Sequence, residues 1–399
     1  MKLNNHPPTF SDQELPVNRR NNYSREIMQS RLNFLEEYAD CELPWLASSE
    51  ADPELTKCNI EKIIGFAQTP VGVVGPLQVN GKHADGNFYI PMSTTEGALV
   101  MSYQRGVRLL TLSGGVQTAV VKNAIQRAPV FLLEDIRAAS DFIAWCQLHL
   151  PELQTVARST TQYGRLEGFH PFIIGDAVVL RFGFTTGDAM GMNMITKSVK
   201  AICEYIGSHY PVKRYLLESN MAVDKKPSFI NMIMGRGKTV TAEALISSQL
   251  VSKYLKTSAE KIVEAYSIQM LGNTNAGVIG CNYHVANGLA AIFLACGQDM
   301  ANITESSSGI TSFRMKGEDL YVSVTLPSLV IGTIGGGTSL PTQRECLNIM
   351  GCYGAEKVLK FAEIIAAVIL AGEISLAGSI AANDFVEAHE KYGRNGHKI

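Results

Sequence analysis

The chain has 399 residues, which is enough for about two or three domains and for a sizeable hydrophobic core. Hydrophobic residues make up 46% of the sequence and charged residues 18%, a balance that excludes a largely disordered chain or a coiled coil. The 35 basic and 37 acidic residues leave a net charge of −2. We therefore expect no attraction to nucleic acid or to an anionic membrane surface.

The cysteines and the apolar runs indicate the compartment. The eight cysteines contain no CxxC pair, and most lie in apolar runs such as Ile202-Cys203, which predicts buried thiols in a reducing compartment and no metal site. The polar N-terminal residues lack the apolar core of a secretory signal. The longest apolar run, 364–372, has nine residues, far fewer than the ~20 that span a bilayer. We expect a soluble, cytoplasmic protein without a membrane partner.

Local patterns predict the elements in chain order. Apolar spacing predicts a helix over residues 25–39, after a polar arm. Short runs broken by glycine and proline predict strands within 62–90, with a hairpin turn at Asn80-Gly81. The later predicted elements are helices at 98–110, 133–149, 192–208, 276–300 and 354–382, a strand at 177–184 and a short helix at 384–393.

Three local motifs bear on function. Ser93-Thr94-Thr95-Glu96 has the spacing of a capping box, so Glu96 is a candidate capping carboxylate. GRGKT at 235–239 ends like a phosphate-binding loop, but Met232 stands where that motif needs its first glycine. No GxGxxG motif follows a predicted strand, so a Rossmann nucleotide site is not predicted.

Several longer segments carry a resemblance to a known enzyme family. They are IGFAQTPVGVVGPL from Ile64, PMSTTEG from Pro91, GDAMGMNM from Gly187, VDKKPSFIN from Val223 with the following GRGK, ACGQD from Ala295, IGTIGGGT from Ile331, and LAGEISLAG from Leu370 with the later His389. In this order, spread over residues 59–394, they resemble hydroxymethylglutaryl-CoA (HMG-CoA) reductase, closest to the class typical of eukaryotes and archaea.

The resemblance implies an α/β (α+β) fold, with a large, mainly helical domain around a long central helix. A small ferredoxin-like α/β domain that binds the nicotinamide cofactor would be inserted into it, and the predicted alternation of strand and helix within 130–216 agrees with such a unit. The implied boundaries are an arm and helical segment at 1–45, a large catalytic and CoA-binding domain at 46–129 and 217–380, the inserted cofactor domain at 130–216, and a C-terminal flap at 381–399.

The activity implied is reduction of HMG-CoA to mevalonate and free CoA by two hydride transfers from NADPH, in the mevalonate pathway of isoprenoid synthesis. The implied assembly is a homodimer or homotetramer with active sites at the subunit interface. Two alternatives remain: the same chemistry on a related 3-hydroxyacyl thioester, and a non-catalytic paralogue.

The motif matches imply catalytic roles for Glu96, Lys225, Asp299 and His389. Lys225 would stabilise the oxyanion that forms when hydride adds to the thioester. Glu96 would supply a proton when the aldehyde is reduced, a role that needs a raised pKa, and Asp299 between them would set both pKa values. His389 would protonate the departing CoA thiolate. Without the family context, each of these side chains fits an ordinary capping or surface role.

The matched ligand positions lie at a helix start, where backbone amides favour phosphate, and in a glycine-rich loop that a nicotinamide can approach closely. The implied cofactor residues are Asp188, Met190, Gly191, Met192, Asn193, Gly332, Gly335 and Gly336. The implied substrate residues are Ser102, Arg105, Arg127, Asp224, Lys226 and Asn287, and His284 also matches a family position.

The sequence departs from the family pattern at ligand positions. Glu218 stands in place of a serine and Ile268 in place of a lysine, and both changes make the expected anion site less positive. Gln162 stands where the family arginine meets the 2′-phosphate of NADP, although Arg158 and Arg165 are close in sequence. We therefore expect an altered acyl site and a weaker preference for NADPH, with NADH as a possible cofactor.

Overall fold

The computed structural model describes residues 14–383. The helices are α1 (Arg25–Ala39), α2 (Pro44–Ala47), α3 (Leu99–Leu112), α4 (Ile136–Leu148), α5 (Leu150–Thr160), α6 (Met192–His209), α7 (Phe229–Met234), α8 (Ser248–Leu255), α9 (Ala259–Ala276), α10 (Val285–Ala295), α11 (Ile303–Ser306), α12 (Pro341–Ile349) and α13 (Val358–Ala382). The strands are β1 (Val71–Gly81), β2 (Asp85–Ser93), β3 (Val116–Arg127), β4 (Val130–Leu132), β5 (Arg165–Ile174), β6 (Ala177–Thr185), β7 (Arg214–Leu216), β8 (Gly237–Ile246), β9 (Ile310–Lys316) and β10 (Asp319–Leu329).

Residues 14–69, together with 339–341, form one compact unit. Its main helix, α1, begins after Ser24, whose hydroxyl oxygen accepts the backbone N–H of Ile27. The guanidinium of Arg31 is fully buried and donates to the backbone carbonyls of Pro16 and Ile63, so it ties both flanking segments to the helix. The helix predicted over 25–39 is confirmed with the same bounds.

Residues 70–338 and 342–383 form the second unit, whose strands make one ten-stranded sheet. Its main path runs β7-β4-β6-β3-β8-β10-β9, with β1 and β2 attached through β3, and β5 through β6. All pairs are antiparallel except the parallel pair β1–β3. The mixed α/β class is confirmed, but the sequence analysis did not predict how wide this sheet is, because many of its strands pair with partners that are distant in sequence.

Two large hydrophobic cores pack on this sheet, and β3 contributes to both. Val116, at the start of β3, belongs to the larger core, which buries α3, α10 and α13 against β1, β2, β8 and β10. Ile125, near the end of β3, belongs to the smaller core under α4, α5 and α6. Apart from Ile125 and Val330, every buried residue of the smaller core comes from 131–206. A single strand therefore joins two separately packed layers.

Helix α13 lies inside the larger core. By length and composition it could cross a membrane, with a mean hydropathy of 2.1, but 83% of its most apolar window is buried within the protein. The two glutamates that bound its apolar run are buried as well. Glu363 accepts the backbone N–H of Ala84, and Glu373 accepts that of His284 at 2.8 Å. Helix α13 therefore has the environment of a core helix, and each of its buried carboxyls accepts backbone hydrogen bonds from elsewhere in the protein.

Two predictions about local structure were wrong, and one lies outside the described residues. The helix predicted over 276–300 is shorter at both ends: α9 ends where Gly277 takes a φ of 71°, and the next helix, α10, spans only Val285–Ala295. The capping box is also absent: α3 follows Ala98 at a φ of 68°, and no side chain caps it. The Thr94 hydroxyl instead accepts the backbone N–H of Glu96, which is a local turn. The helix predicted at 384–393 lies outside the described residues.

Close packing of α3 on α13 gives a test of the larger core. A Cβ at Gly106 would collide with the backbone carbonyl of Ala371 on α13. We expect Gly106→Ala to lower the free energy of unfolding by roughly 1–3 kcal/mol, measured by urea denaturation.

The matched control is Gly207→Ala on α6, where the nearest atom to a new Cβ is a ring carbon of Tyr215 at 3.9 Å. Helix propensity alone then predicts no loss, or a gain of up to about 1 kcal/mol. Equal effects of the two substitutions would contradict the close packing of α3 against α13.

Candidate active site

Two predicted catalytic residues are in direct contact. Lys225 lies in the loop between β7 and α7 with a φ of 56°, and its Nζ is 2.8 Å from Oδ2 of Asp299. Asp299 precedes a short 3₁₀ turn after α10, and its other oxygen accepts the backbone N–H of Ala301. The hydrogen bond that Lys225 donates to Asp299, helped by the negative charges of Asp299 and Asp224, raises the pKa of Lys225. The loop therefore presents a charged, half-exposed ammonium.

A fully buried arginine packs behind this loop. Arg236 Nη2 lies 2.6 Å from Asp224 Oδ1, and its Nε lies 3.4 Å from Oε1 of Glu305. The same Glu305 oxygen accepts the backbone N–H of Lys225 at 3.3 Å, and burial raises the pKa of the Glu305 carboxyl. Arg236 also donates to the carbonyl of Gln126 at the end of β3. A buried ion pair is stable only with such complete hydrogen bonding.

The sequence analysis missed both Arg236 and Glu305. Two signals were available for Arg236: its place between two glycines, Gly235 and Gly237, and its place in the GRGK segment that carries the family resemblance. For Glu305 there was no signal, because it lies in a polar run without a motif. Their importance follows only from their contacts with the Lys225 loop.

Glu96 contacts a predicted substrate residue and not the lysine. It lies exposed in the turn before α3, and its Oε1 accepts a hydrogen bond from Nδ2 of Asn287 at 3.3 Å. Asn287 lies in the first turn of α10. Within residues 14–383, no hydrogen bond or ion pair joins Glu96 to Lys225 or Asp299. His389 lies outside the described residues.

Arg127 is neutralised by one of the residues that depart from the family pattern. Its Nη1 lies 3.2 Å from Oε2 of Glu218, and the pair is largely shielded from solvent. The other Glu218 oxygen accepts the backbone N–H of Asn220, which has a φ of 66° at the start of the loop to Lys225. Lys226 is exposed and donates to the backbone carbonyl of Asp224, two residues earlier in the same loop. Glu218 therefore shapes this loop and also offsets the positive charge of Arg127.

Two other predicted substrate residues lie between helices. The hydroxyl of Ser102 on α3 is 3.1 Å from that of Ser375 on α13. Arg105, one turn further along α3, donates to the Ser375 backbone carbonyl at 2.6 Å and to the Ser379 hydroxyl. Both side chains therefore also hold α3 against α13.

The start of α6 has the features of a phosphate site. Its N-cap is Gly191 with a φ of 85°, and a Cβ there would lie 2.5 Å from Cγ2 of Thr186, so glycine is required on two grounds. No side chain caps the helix, and no acidic residue lies in its first turn. The first-turn amides, which include those of Met192 and Asn193, therefore remain available to an anion.

The glycine-rich loop is joined to the turn that precedes α6. Thr333 donates its backbone N–H to the carbonyl of Asp188 at 2.8 Å, and Ala189 pairs with Ile334 in a parallel bridge. A Cβ at Gly332 would lie 2.9 Å from the backbone N of Met190, so a larger residue would separate the two segments.

Two further glycines of this loop have open space beside them. Gly335 and Gly336 have φ values of 80° and 56°, and no heavy atom lies within 4 Å of where their Cβ atoms would be. The backbone can therefore be approached closely on that side.

Asp188 performs a structural task that the sequence did not indicate. Its carboxylate oxygens accept the backbone N–H groups of Glu356, Lys357 and Val358, at 2.8, 2.9 and 3.0 Å. These N–H groups lie at the start of α13, where a helix offers them no acceptor of its own. The N-cap residue of α13 does not cap them with its side chain. Asp188 thus caps the core helix from the turn that precedes α6.

The turn that carries Gln162 lies beside the start of α6. The Thr161 hydroxyl oxygen accepts the N–H groups of Tyr163 and Gly164 and lies 2.8 Å from the sulfur of Met194 on α6. Gln162 is exposed in this turn, and Arg165 donates to the carbonyl of Gly164. Among the described residues, no group of three His, Cys, Asp or Glu residues is placed to hold a metal ion.

Comparison with known proteins agrees with this architecture. The family model for hydroxymethylglutaryl-coenzyme A reductase matches residues 27–394. The 3-hydroxy-3-methylglutaryl-coenzyme A reductase of Aeropyrum pernix is 48% identical over 94% of this chain and 91% of its own length. The protein of the same name from Pyrococcus horikoshii is 46% identical over 94% of this chain and 93% of its own.

Among solved structures, the class II 3-hydroxy-3-methylglutaryl-CoA reductase of Streptococcus pneumoniae bound to NADPH matches with a TM-score of 0.67. The identity is 21%, and the match covers 88% of this chain and 96% of that one. The mixed α/β fold with its large antiparallel sheet is thus that of class II HMG-CoA reductase structures. The chain belongs to the hydroxymethylglutaryl-coenzyme A reductase family.

The Lys225–Asp299 contact makes a prediction about proton affinity. Asp299→Asn removes the anionic acceptor that raises the pKa of Lys225, so the neutral, nucleophilic amine should appear at lower pH. Competitive labelling with acetic anhydride, read by mass spectrometry across a pH series, should show the Lys225 midpoint moving toward lower pH.

Lys226 is the internal control, because its hydrogen bond goes to a backbone carbonyl that the substitution leaves in place. Its labelling curve should be the same in both proteins. An unchanged Lys225 curve in Asp299→Asn would reject the proposed coupling.

Proposed function

We propose that this protein reduces HMG-CoA to mevalonate and free CoA, with NADPH as the hydride donor. The observation that carries the proposal is the charged Lys225, hydrogen-bonded to Asp299 and held by the buried Arg236–Glu305 pair. Such an ammonium can stabilise an alkoxide, because it is already oriented before charge develops on the substrate oxygen. The contact also argues against a non-catalytic paralogue, which would have no need to hold a lysine in a left-handed conformation.

The cofactor would be held at the start of α6 by Gly191, Met192 and Asn193, and along the open loop at Gly332, Gly335 and Gly336. Asp188 and Met190 form the wall between these segments. When bound, a reduced nicotinamide supplies hydride to the substrate carbonyl carbon. The residues fit it, because the free helix amides suit the diphosphate and the glycines admit a flat ring.

The first half of the reaction depends on Lys225. It stabilises the oxyanion when hydride reaches the thioester carbon, and the resulting hemithioacetal then loses CoA thiolate to leave mevaldehyde. His389 would protonate this thiolate, so that free CoA leaves as a thiol.

The second hydride converts the aldehyde to an alkoxide. A proton must then reach the alkoxide, and Glu96 would supply it, held by Asn287. Asp299 would link the two steps by keeping Lys225 charged throughout.

For the domain plan, we propose an arm and helical segment at 1–45 and a large domain at 46–129 and 217–380, with α13 as its central helix. The ferredoxin-like cofactor domain would occupy 130–216, and a flap with His389 would occupy 381–399. The separate core built almost entirely from 131–206 supports the inserted domain. A soluble, cytoplasmic location accords with the burial of α13.

For assembly, we propose a homodimer or homotetramer that completes the active sites across subunits. Apolar side chains support it, because Ile268 and Leu271 on α9 are 63% and 72% exposed, and Phe229 and Ile233 on α7 are 61% and 80% exposed. Large apolar residues in such neighbouring positions usually meet a partner surface.

A second candidate substrate is a related 3-hydroxyacyl thioester. The Arg127–Glu218 ion pair favours it, because an arginine already paired with a carboxylate attracts a second carboxylate less strongly. Ile268 would remove a further positive charge if α9 reaches a partner's active site.

The direct test is oxidation of NADPH by the pure protein with HMG-CoA, with CoA release followed separately by a thiol reagent. We expect Lys225→Ala to lower kcat by about a hundredfold or more, as loss of an oxyanion donor typically does. The control is Lys200→Ala, an exposed lysine of α6 that forms an ion pair with Glu204 one turn further along the helix.

No turnover of HMG-CoA with NADPH or NADH would contradict the proposed activity. A panel of acyl-CoA thioesters separates the two substrate candidates. The highest specificity constant with HMG-CoA would rule out the second candidate.

Cofactor choice is tested at Gln162. The 2′-phosphate of NADPH gains affinity from a nearby cation, and one charge-assisted contact is worth roughly tenfold or more in binding. We expect the wild type to prefer NADPH weakly, through Arg158 or Arg165, and Gln162→Arg to raise the NADPH-to-NADH ratio of specificity constants by at least about tenfold.

The control is Gln147→Arg, which adds the same charge on the exposed face of α4. It should leave the ratio unchanged. A wild-type preference for NADPH above about a thousandfold, unaltered by Gln162→Arg, would show that Gln162 does not weaken the preference for NADPH.

A further inference from the structure

The peptide bond between Ile331 and Gly332 is held at both ends by buried side chains. Its carbonyl oxygen accepts a hydrogen bond from Lys238 Nζ at 2.9 Å, and its N–H donates to Oε1 of Gln298 at 2.9 Å. Lys238 is 3% exposed and Gln298 is 9% exposed, so water does not compete for either bond. Two buried polar side chains therefore set the orientation of one peptide plane.

Lys238 has little other reason to be buried. It lies on β8 between β3 and β10. Within the described residues, the carbonyl of Ile331 is the one acceptor for its side-chain Nζ. Burial lowers the pKa of its amine to about 8, and the negative charge of Asp188 opposes this shift only in part. A neutral amine still carries N–H groups, so the hydrogen bond to Ile331 is kept in either charge state. Burying an amine is costly, and an apolar residue would fill this core position at lower cost.

This peptide borders both the catalytic segment and the proposed cofactor cleft. Gln298 immediately precedes Asp299, and Gly332 packs so closely on the turn before α6 that a Cβ would lie 2.9 Å from the N of Met190. A rotation of the peptide would therefore move the loop against Met190. Gly332 has no Cβ to resist such a rotation, so the side-chain hydrogen bonds must prevent it.

We propose that Lys238, acting with Gln298, is a positioning residue that fixes the Ile331–Gly332 peptide and thereby aligns the nicotinamide-binding loop with Asp299. This inference rests on the proposed use of NADPH at the cleft. Lys238 touches neither substrate nor cofactor, and it acts through the peptide that it orients.

The test compares Lys238→Met, Gln298→Met and the double variant with the wild type. NADPH binding is measured by fluorescence titration, and KM and kcat are measured for both substrates. We expect each single change to raise the Kd and KM for NADPH by about tenfold, because a buried polar group loses its partner, while the KM for HMG-CoA changes much less. The double variant should be little worse than either single variant, because both act on one peptide.

The control for stability alone is Val240→Ala, a buried change two residues along the same face of β8. It should lower the Tm with little effect on the Kd for NADPH. If Lys238→Met does not fold, Lys238→Gln, which keeps an N–H donor, and Gln298→Met provide the same comparison. We then expect Lys238→Gln to bind NADPH more tightly than Gln298→Met.

Single variants that fold with an unchanged Kd and KM for NADPH, or full additivity in the double variant, would overturn the inference. So would a wild-type protein that does not bind NADPH. A wild type that binds NADPH without reducing HMG-CoA contradicts the proposed function alone, and the Kd comparison then still decides the role of Lys238.

Discussion

The arrangement of the segments around Lys225 depends on balancing the charge of one buried guanidinium. Arg236 has no access to solvent, so its charge must be balanced within the protein. Asp224 and Glu305 provide the balance, and the carbonyl of Gln126 takes a further N–H. These partners come from the loop before Lys225, from the short helix α11 and from β3. The need to pair one cation therefore brings together three distant segments of the chain.

The position of Lys225 is a consequence of this network. Its backbone N–H shares the Glu305 oxygen that faces Arg236, and its ammonium meets Asp299. A left-handed φ at a lysine is costly, and the surrounding hydrogen bonds hold it. The Lys225 loop is thus held by buried charges behind it, while the lysine side chain stays half exposed.

The sequence could predict most of the elements but few of the contacts. The helix over 25–39 and the strand over 177–184 have clear periodicity, and the structure places them within a residue of the expected ends. The helix expected over 276–300 was too long at both ends, because a run of small apolar residues looks the same inside a helix and beyond its ends. Asp188 could be identified as a residue of the GDAMGMNM motif, but its capping of α13 joins positions about 170 residues apart.

By itself, the sequence determined the mixed α/β class, the family and the residue types at the site, because local periodicity and contiguous motifs are enough to indicate them. The tertiary structure alone decided which charges meet: Lys225 with Asp299, Arg236 with Glu305, and Arg127 with Glu218. It also decided that Lys238 and Gln298 hold a single peptide. The physical reason is that a hydrogen bond or ion pair depends on distance and burial, and chain folding sets both between residues whose spacing in sequence carries no such information.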